Sequence, residues 1–288
     1  MNKLFSVVAL LIVTLMSGCA QRGNDFVVTI KTPEGEMVAI LYDETPKHKQ
    51  NFIKLAKEHY YDSLSFHRVM EGFMIQGGDP DSRNAPAGQR LGMGGPGYTI
   101  DAEINPKLYH EKGALSAARL GDEQNPSRAS SGSQFFIVQG IVIPEKNAND
   151  LRYDEYKLMT GLRQILLKPE NKGLADSLNQ LYMSGNAEAY HKMILDLAPR
   201  VEKETSLKVF KVVIPEKTHA YTTVGGTPAL DGDYTVFGKV IKGLDVIDKI
   251  AVKPTDNNNR PLKDVRMVIT VQEMPKSEIE KLYHYQYP

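Results

Sequence analysis

The chain has 288 residues, enough for one large domain or two smaller ones around a substantial core. Its apolar share of 41% and charged share of 24% are those of an ordinary globular protein, and 35 Lys and Arg balance 35 Asp and Glu to a net charge of +0. That balance excludes a global electrostatic attraction to nucleic acid or anionic lipid, and no long like-charge block, strong repeat or low-complexity tract suggests a fibrous or disordered protein.

Residues 1–18 read as a signal peptide. Lys3 supplies a positive start, residues 4–15 form an almost uninterrupted apolar run, and the small pair Ser17-Gly18 stands directly before Cys19. The run is shorter than the roughly 20 residues that a membrane-spanning helix needs. A cysteine in this place resembles the lipobox of bacterial lipoproteins, with Met16 departing from the commoner Leu. The resemblance implies lipidation at Cys19 and an exported protein, anchored to the bacterial cell envelope through that lipid and facing the periplasm. Cys19 is the only cysteine, so no internal disulfide can form. An ordinary cleaved signal with an incidental cysteine is the alternative. Residues 19–25 read as a polar tether.

Residues 26–31 and 36–42 are strand-like and flank the turn Thr32-Pro33-Glu34-Gly35, which predicts a β-hairpin. A helix follows, with Thr45 at its N-cap, Pro46 at its first position and an apolar face of Phe52, Ile53, Leu55 and Ala56. Residues 66–79 read as two short strands joined at Glu71-Gly72, with Arg68 and Gln76 interleaved among Phe66, Val69, Phe73, Met74 and Ile75. In a generic hairpin that arginine is a solvated edge charge. Residues 80–97 are irregular, and the glycine run at 92–97 opens no helix, so it is a poor phosphate loop. Residues 113–119 are small and extended, and residues 130–138 form a turn feeding a strand.

Residues 141–219 change character. Leu151, Leu158, Met159, Leu162, Ile165 and Leu166 follow helical spacing, as do Leu174, Leu178 and Leu181, then Tyr190, Met193, Ile194 and Leu197. Breaks at Pro169, Gly173 and Ser184-Gly185 predict three helices, and residues 207–214 an extended return. Beyond them come a motif at 230–240, a short helix at 243–251 and a strand at 265–273. Ser277 and Glu280 have capping-box spacing for a short helix within the tail 275–288.

The stretches at 66–79, at 132–137 (Gly-Ser-Gln-Phe-Phe-Ile) and at 230–240 (Leu-Asp-Gly-Asp-Tyr-Thr-Val-Phe-Gly-Lys-Val), in this order, resemble the signature of the cyclophilin family of peptidyl-prolyl cis-trans isomerases. The resemblance covers residues 26–140 and 220–274. It implies a mainly β fold: a closed eight-stranded antiparallel barrel capped by two helices, with a substrate groove on its outer face and residues 141–219 as an inserted helical subdomain. It implies that Arg68 is catalytic and that Phe73, Met74, Gln76, Gly92, Ala118, Arg119, Gln134, Phe136, Leu230 and Tyr234 bind substrate. The implied partners are proline-containing unfolded or extended polypeptides, and the implied activity accelerates X-Pro isomerisation during folding of exported proteins. A weakly catalytic chaperone or peptide-binding module of the same shape is the alternative.

That chemistry needs no metal, cofactor or nucleophile. Rotation about a peptide bond is slow because resonance must be lost, at a barrier of roughly 18–20 kcal/mol, and a catalyst has only to favour the twisted amide. The seven histidines lack metal-ligand spacing, and no Gly-x-Ser-x-Gly elbow is present. His67, on an alternating strand, is expected to point away from Arg68, as a barrel or surface histidine. Three positions depart from the family pattern: Arg119 stands where many members carry Asn, Tyr234 where others carry His, and Ala229 where cyclosporin-sensitive members carry Trp. The last implies weak binding of that drug.

Overall fold

The computed structural model describes residues 23–211 and 213–287. The expected signal peptide, Cys19 and the start of the tether lie outside them. Strands β1 (Asn24–Thr32) and β2 (Gly35–Leu41) form the expected hairpin, although β1 begins inside the expected tether and already buries Asp25. Helix α1 (Pro46–Lys57) starts on its proline, but the Thr45 hydroxyl donates back to the Tyr42 carbonyl (3.4 Å) instead of capping the helix. There follow β3 (Arg68–Met70), β4 (Met74–Gly77), a 3₁₀ turn at Pro80–Arg83, β5 (Thr99–Ile100), β6 (Ala114–Ala117), β7 (Ser130–Ser131) and β8 (Phe135–Val138).

The helical stretch comes next: α2 (Glu155–Leu166), α3 (Lys172–Met183), α4 (Ala187–Asp196), α5 (Ala198–Thr205) and α6 (Pro215–Thr223). The expected run from Tyr190 to Leu197 is α4, and α5 and α6 come in addition to the three expected helices; Pro199 opens α5 because it cannot continue α4. The chain returns through a 3₁₀ turn (Pro228–Leu230) into β9 (Val236–Lys242), α7 (Leu244–Ala251), β10 (Val268–Pro275) and α8 (Lys276–Tyr283). Pro275 takes the N-cap position of α8, so Ser277 lies in its first turn and makes no capping box.

Eight strands form one antiparallel sheet in the order β10-β1-β2-β9-β6-β8-β4-β3, and β5 and β7 pair separately. Successive side chains of a strand point to opposite faces, and this alternation divides the molecule. Val69, Ile75, Leu115, Phe135, Ile137 and Phe237 turn to one face and pack with the apolar sides of α1 and α7 in the main core. Their neighbours Met74, Ala114, Phe136, Val138 and Val236 turn to the other face and form a separate cluster. A third cluster holds the helical segment together, joining Leu158, Leu162 and Ile165 of α2 to Leu178, Ile194 and Val201. The C-terminal tyrosines are not loose: Tyr283, Tyr285 and Tyr287 pack on Val27, Val38 and Ile40. Outside the ladders, Ser63 and Phe66 donate backbone N–H groups to the carbonyls of Met267 and Val265, and Met267 donates back to Leu64.

Candidate active site

The face opposite the core carries the site. Arg68 of β3 pairs in register with Gln76 of β4, Gln76 with Phe136 of β8, and Phe136 with Ser116 of β6. Residues far apart in the chain thus stand in one row across four strands, all aimed the same way. A slip of one residue in any of these strands would turn its member of the row into the core.

Above the row lies a cavity of about 290 Å³. Its polar side is a chain of side-chain hydrogen bonds. Arg68 donates through Nη1 to Gln76 Oε1 (3.2 Å), Gln76 donates to Gln134 Oε1 (3.1 Å), and Gln134 donates to the Gly94 carbonyl (2.7 Å). Arg68 also donates to Met70 Sδ (3.2 Å), and its guanidinium lies 5.9 Å from the Phe73 ring centre. No carboxylate forms an ion pair with Arg68 among the described residues. Half-burial lowers its pKa from the ordinary value, against a smaller opposing effect of Tyr234.

The apolar side consists of Phe73, Phe136, Leu230 and Tyr234, with Ala118 at the rim and Met74, only 1% exposed, as the floor. Phe136 and Tyr234 meet edge to face at 5.8 Å. Arg119 is locked rather than reaching out. Its Nε donates to the Asp233 carbonyl (2.8 Å), Nη1 to the Leu120 carbonyl (2.9 Å) and Asp122 (2.6 Å), and its guanidinium lies 4.5 Å from the Tyr234 ring centre. The residue standing where the family pattern has Asn thus braces the Tyr234 wall. Every expected groove position lines this cavity or, for Gln134, the adjoining one of about 720 Å³.

Several residues at the site had no local signal. Asp79 is fully buried at the end of β4, and its carboxylate accepts N–H groups from Asp81 (2.9 Å), Gly92 and Gly94 (3.4 Å), so it holds the glycine loop against the cavity. A Cβ at Gly94 would collide with that carboxylate, which is why the loop needs glycine there. Arg260 is 5% exposed and reaches the same rim from the far side, donating to the carbonyls of Ala85 (3.1 Å), Pro86 (2.9 Å) and Gln89 (3.3 Å). An acid after two glycines hints at a turn, but nothing near Arg260 points across 170 residues of chain.

His67 corrects the expectation. β3 begins only at Arg68, so strand alternation does not govern position 67, and His67 lines the same cavity as Arg68. It is 3% exposed, and neither ring nitrogen has a hydrogen-bond partner among the described residues. Burial drives its pKa down to about 4, against the attraction of Asp79 and with the positive charge of Arg68 adding to the drop. The folded pKa lies below the unfolded value of about 6.5, so below that pH the unfolded chain takes up a proton that the folded one refuses. His67 is therefore expected to withdraw about 3 kcal/mol of stability as pH falls from about 6.5 to about 4. Denaturant unfolding at pH 7.5 and 4.5 should show a smaller loss for His67→Gln than for the wild type. Equal losses would refute this.

The family model "Cyclophilin type peptidyl-prolyl cis-trans isomerase/CLD" matches residues 27–149 and 216–272. A Staphylococcus saprophyticus protein named "Putative peptidyl-prolyl cis-trans isomerase" is 30% identical over 248 residues, covering 85% of this chain and 90% of its own length. A Streptococcus pyogenes protein named "Putative bifunctional phosphatase/peptidyl-prolyl cis-trans isomerase" is 33% identical over 244 residues, covering 83% of this chain, which spans 37% of that relative's length. Among solved structures, a Cryptosporidium parvum cyclophilin-type isomerase aligns with a TM-score of 0.49 at 22% identity, over 88% of this chain and 99% of its own.

Proposed function

Because this chain belongs to the cyclophilin-type peptidyl-prolyl cis-trans isomerase family, and is accordingly a peptidyl-prolyl cis-trans isomerase, we propose that it isomerises X-Pro bonds in the cavity above the Arg68–Gln76–Phe136 row. The observation that carries this reading is the state of Arg68: half-buried on the cavity wall, held by an amide and a thioether, and paired with no acid among the described residues. As the peptide bond twists, conjugation is lost and the prolyl nitrogen gains a lone pair. A permanent cation with spare N–H donors stabilises that nitrogen or the neighbouring carbonyl. Phe73, Phe136 and Leu230 hold the proline ring over Met74. Gln76 and the backbone of Arg119 fix the flanking chain while it turns. No proton is transferred, so the low pKa of His67 has no part in the reaction.

The test is a proline-peptide isomerisation assay; rates for the wild type no faster than solvent would replace this reading with that of a binding module. The eight-stranded sheet is read here as a closed barrel, supported by the backbone hydrogen bonds between residues 63–66 and 265–267, which lead into the edge strands β3 and β10. Its substrates are read as proline-containing polypeptides folding after export, and the protein as anchored to the cell envelope through lipid on Cys19. That rests on the residues around Cys19 alone. A Cys19→Ala variant is expected to leave the membrane fraction, and one that stays there would sink the anchor.

The helical segment is read as an arm that recruits unfolded chains, which is supported by the exposure of Tyr156, Leu167, Tyr182 and Met183. Replacing residues 155–205 with a short linker is expected to slow protein refolding more than turnover of a short peptide. Equal effects would count against the arm.

A further inference from the structure

Behind the apolar wall of the cavity lies a buried polar cluster. The His110 ring stacks flat on Phe136, with centroids 6.0 Å apart and planes at 13°, and meets Tyr234 edge-on at 6.3 Å. His110 is fully buried and neighbours both aromatic rings. Asp231 fixes it: the His110 backbone N–H donates to Oδ1 (2.9 Å), and Nδ1 lies 2.9 Å from the same oxygen. The other oxygen, Oδ2, accepts the Tyr221 hydroxyl (2.7 Å) and pairs with the Lys217 ammonium. Tyr221 also accepts the His110 backbone N–H (3.1 Å). Lys217 and Tyr221 stand four residues apart on one face of α6, and both are buried.

A buried carboxylate is costly unless it is paired and fully hydrogen-bonded. Burial alone would raise the pKa of Asp231, but the His110 hydrogen bond and the Lys217 charge outweigh it and hold the group below the usual range. Asp231 is thus a fixed anion beside the pocket residue Leu230, and the imidazole plane is fixed with it. Phe136 stacks along that plane and Tyr234 meets it at nearly a right angle. α6 reaches this point directly from the helical segment, so two side chains outside the sheet support the wall that faces substrate.

We propose that Lys217 and Tyr221 of α6 are positioning residues, which lock the His110–Asp231 pair and so hold Phe136 and Tyr234 at the spacing that a proline ring needs. The proposal rests on the reading of that wall as the proline pocket and adds a specificity-setting support from helix α6. A pocket that grips the ring equally in the planar and twisted states contributes to binding and not to the rate of rotation.

The test measures kcat and KM for a short proline peptide, and its Kd by titration, in full-length Lys217→Met, Lys217→Arg and Tyr221→Phe. Lys217→Met and Tyr221→Phe are expected to raise KM and Kd about fivefold with kcat within about twofold of the wild type. Lys217→Arg, which keeps charge and donors, is expected to recover most of that affinity. Lower melting temperatures with unchanged KM and Kd would show a merely structural cluster and overturn the proposal. If Lys217→Met does not fold, Tyr221→Phe decides, since it removes one hydroxyl and little volume; an unchanged KM there overturns the proposal. Arg68→Ala run in parallel separates the two readings. An unaffected kcat in that variant refutes the site assignment, whereas a collapsed kcat beside unchanged KM in the α6 variants refutes only the support.

Discussion

Replacing Arg68 with alanine is expected to lower kcat/KM for a short proline peptide by about 10²- to 10³-fold, mostly through kcat, while the protein stays folded. The size follows from removing one pre-oriented donor aimed at charge that develops in the transition state, roughly 3–4 kcal/mol in comparable sites. Burial raises the effect, because the guanidinium acts from a half-desolvated wall with no carboxylate beside it among the described residues. The fold should survive. Among the described residues the Arg68 side chain gives hydrogen bonds to Gln76 and Met70 on the cavity face and is not part of the main core. Arg68→Lys is expected to recover only part of the rate, since a compact ammonium cannot hold Gln76 and keep further donors free as the planar guanidinium fork does. An isomerisation assay in which Arg68→Ala matches the wild type would remove Arg68 from the mechanism.

Asp79→Ala is expected to lower the stability of the protein together with its activity. Asp79 is 0% exposed, and its side chain accepts three backbone N–H groups, from Asp81, Gly92 and Gly94. Alanine leaves those donors without a partner; Asp81 is exposed and Gly92 and Gly94 are half-buried, so water meets part of the cost, and the total stays near the upper end of the roughly 1–3 kcal/mol of one buried unsatisfied group. A total of about 3 kcal/mol corresponds to a fall in Tm of roughly 6–12 °C for a domain of this size. Activity should fall as well, because the loop released includes Gly94, whose carbonyl ends the hydrogen-bond chain from Arg68. Asp79→Asn keeps one acceptor oxygen and is expected to lose about half as much. Thermal melts settle it: a fall of less than about 2 °C for Asp79→Ala would mean that the loop does not depend on this carboxylate.

Local pattern carried much of the fold. The hairpin β1–β2, helix α1 and the short strands β3 and β4 are legible because turn residues, capping residues and period-two alternation are encoded within a few positions of one another. Where local rules misled, a competing local constraint prevailed. Pro199 opened a helix that was not expected, Pro275 displaced Ser277 from the cap, and β3 began one residue too late for alternation to place His67. The helices α2 to α5 were readable as helical, but their closure around Leu158, Leu162 and Val201 was not, since apolar spacing names a face without naming its partner.

By itself the sequence determined the family, through three motifs that resemble its signature, and with them it singled out Arg68, Gln76 and Phe136 as a set. Only the tertiary structure decided how that set is held. The β3–β4–β8–β6 register puts Arg68, Gln76, Phe136 and Ser116 in one row. Asp79 brings in the glycine loop from 13 residues away, and Asp231 ties His110, 121 residues earlier, to Tyr221 of α6. The physical reason is the range of the forces. Turns, caps and alternation act between neighbours in the chain. Strand register and buried carboxylate clusters are settled by groups that meet only after the chain has folded, when each buried donor and acceptor must find its partner.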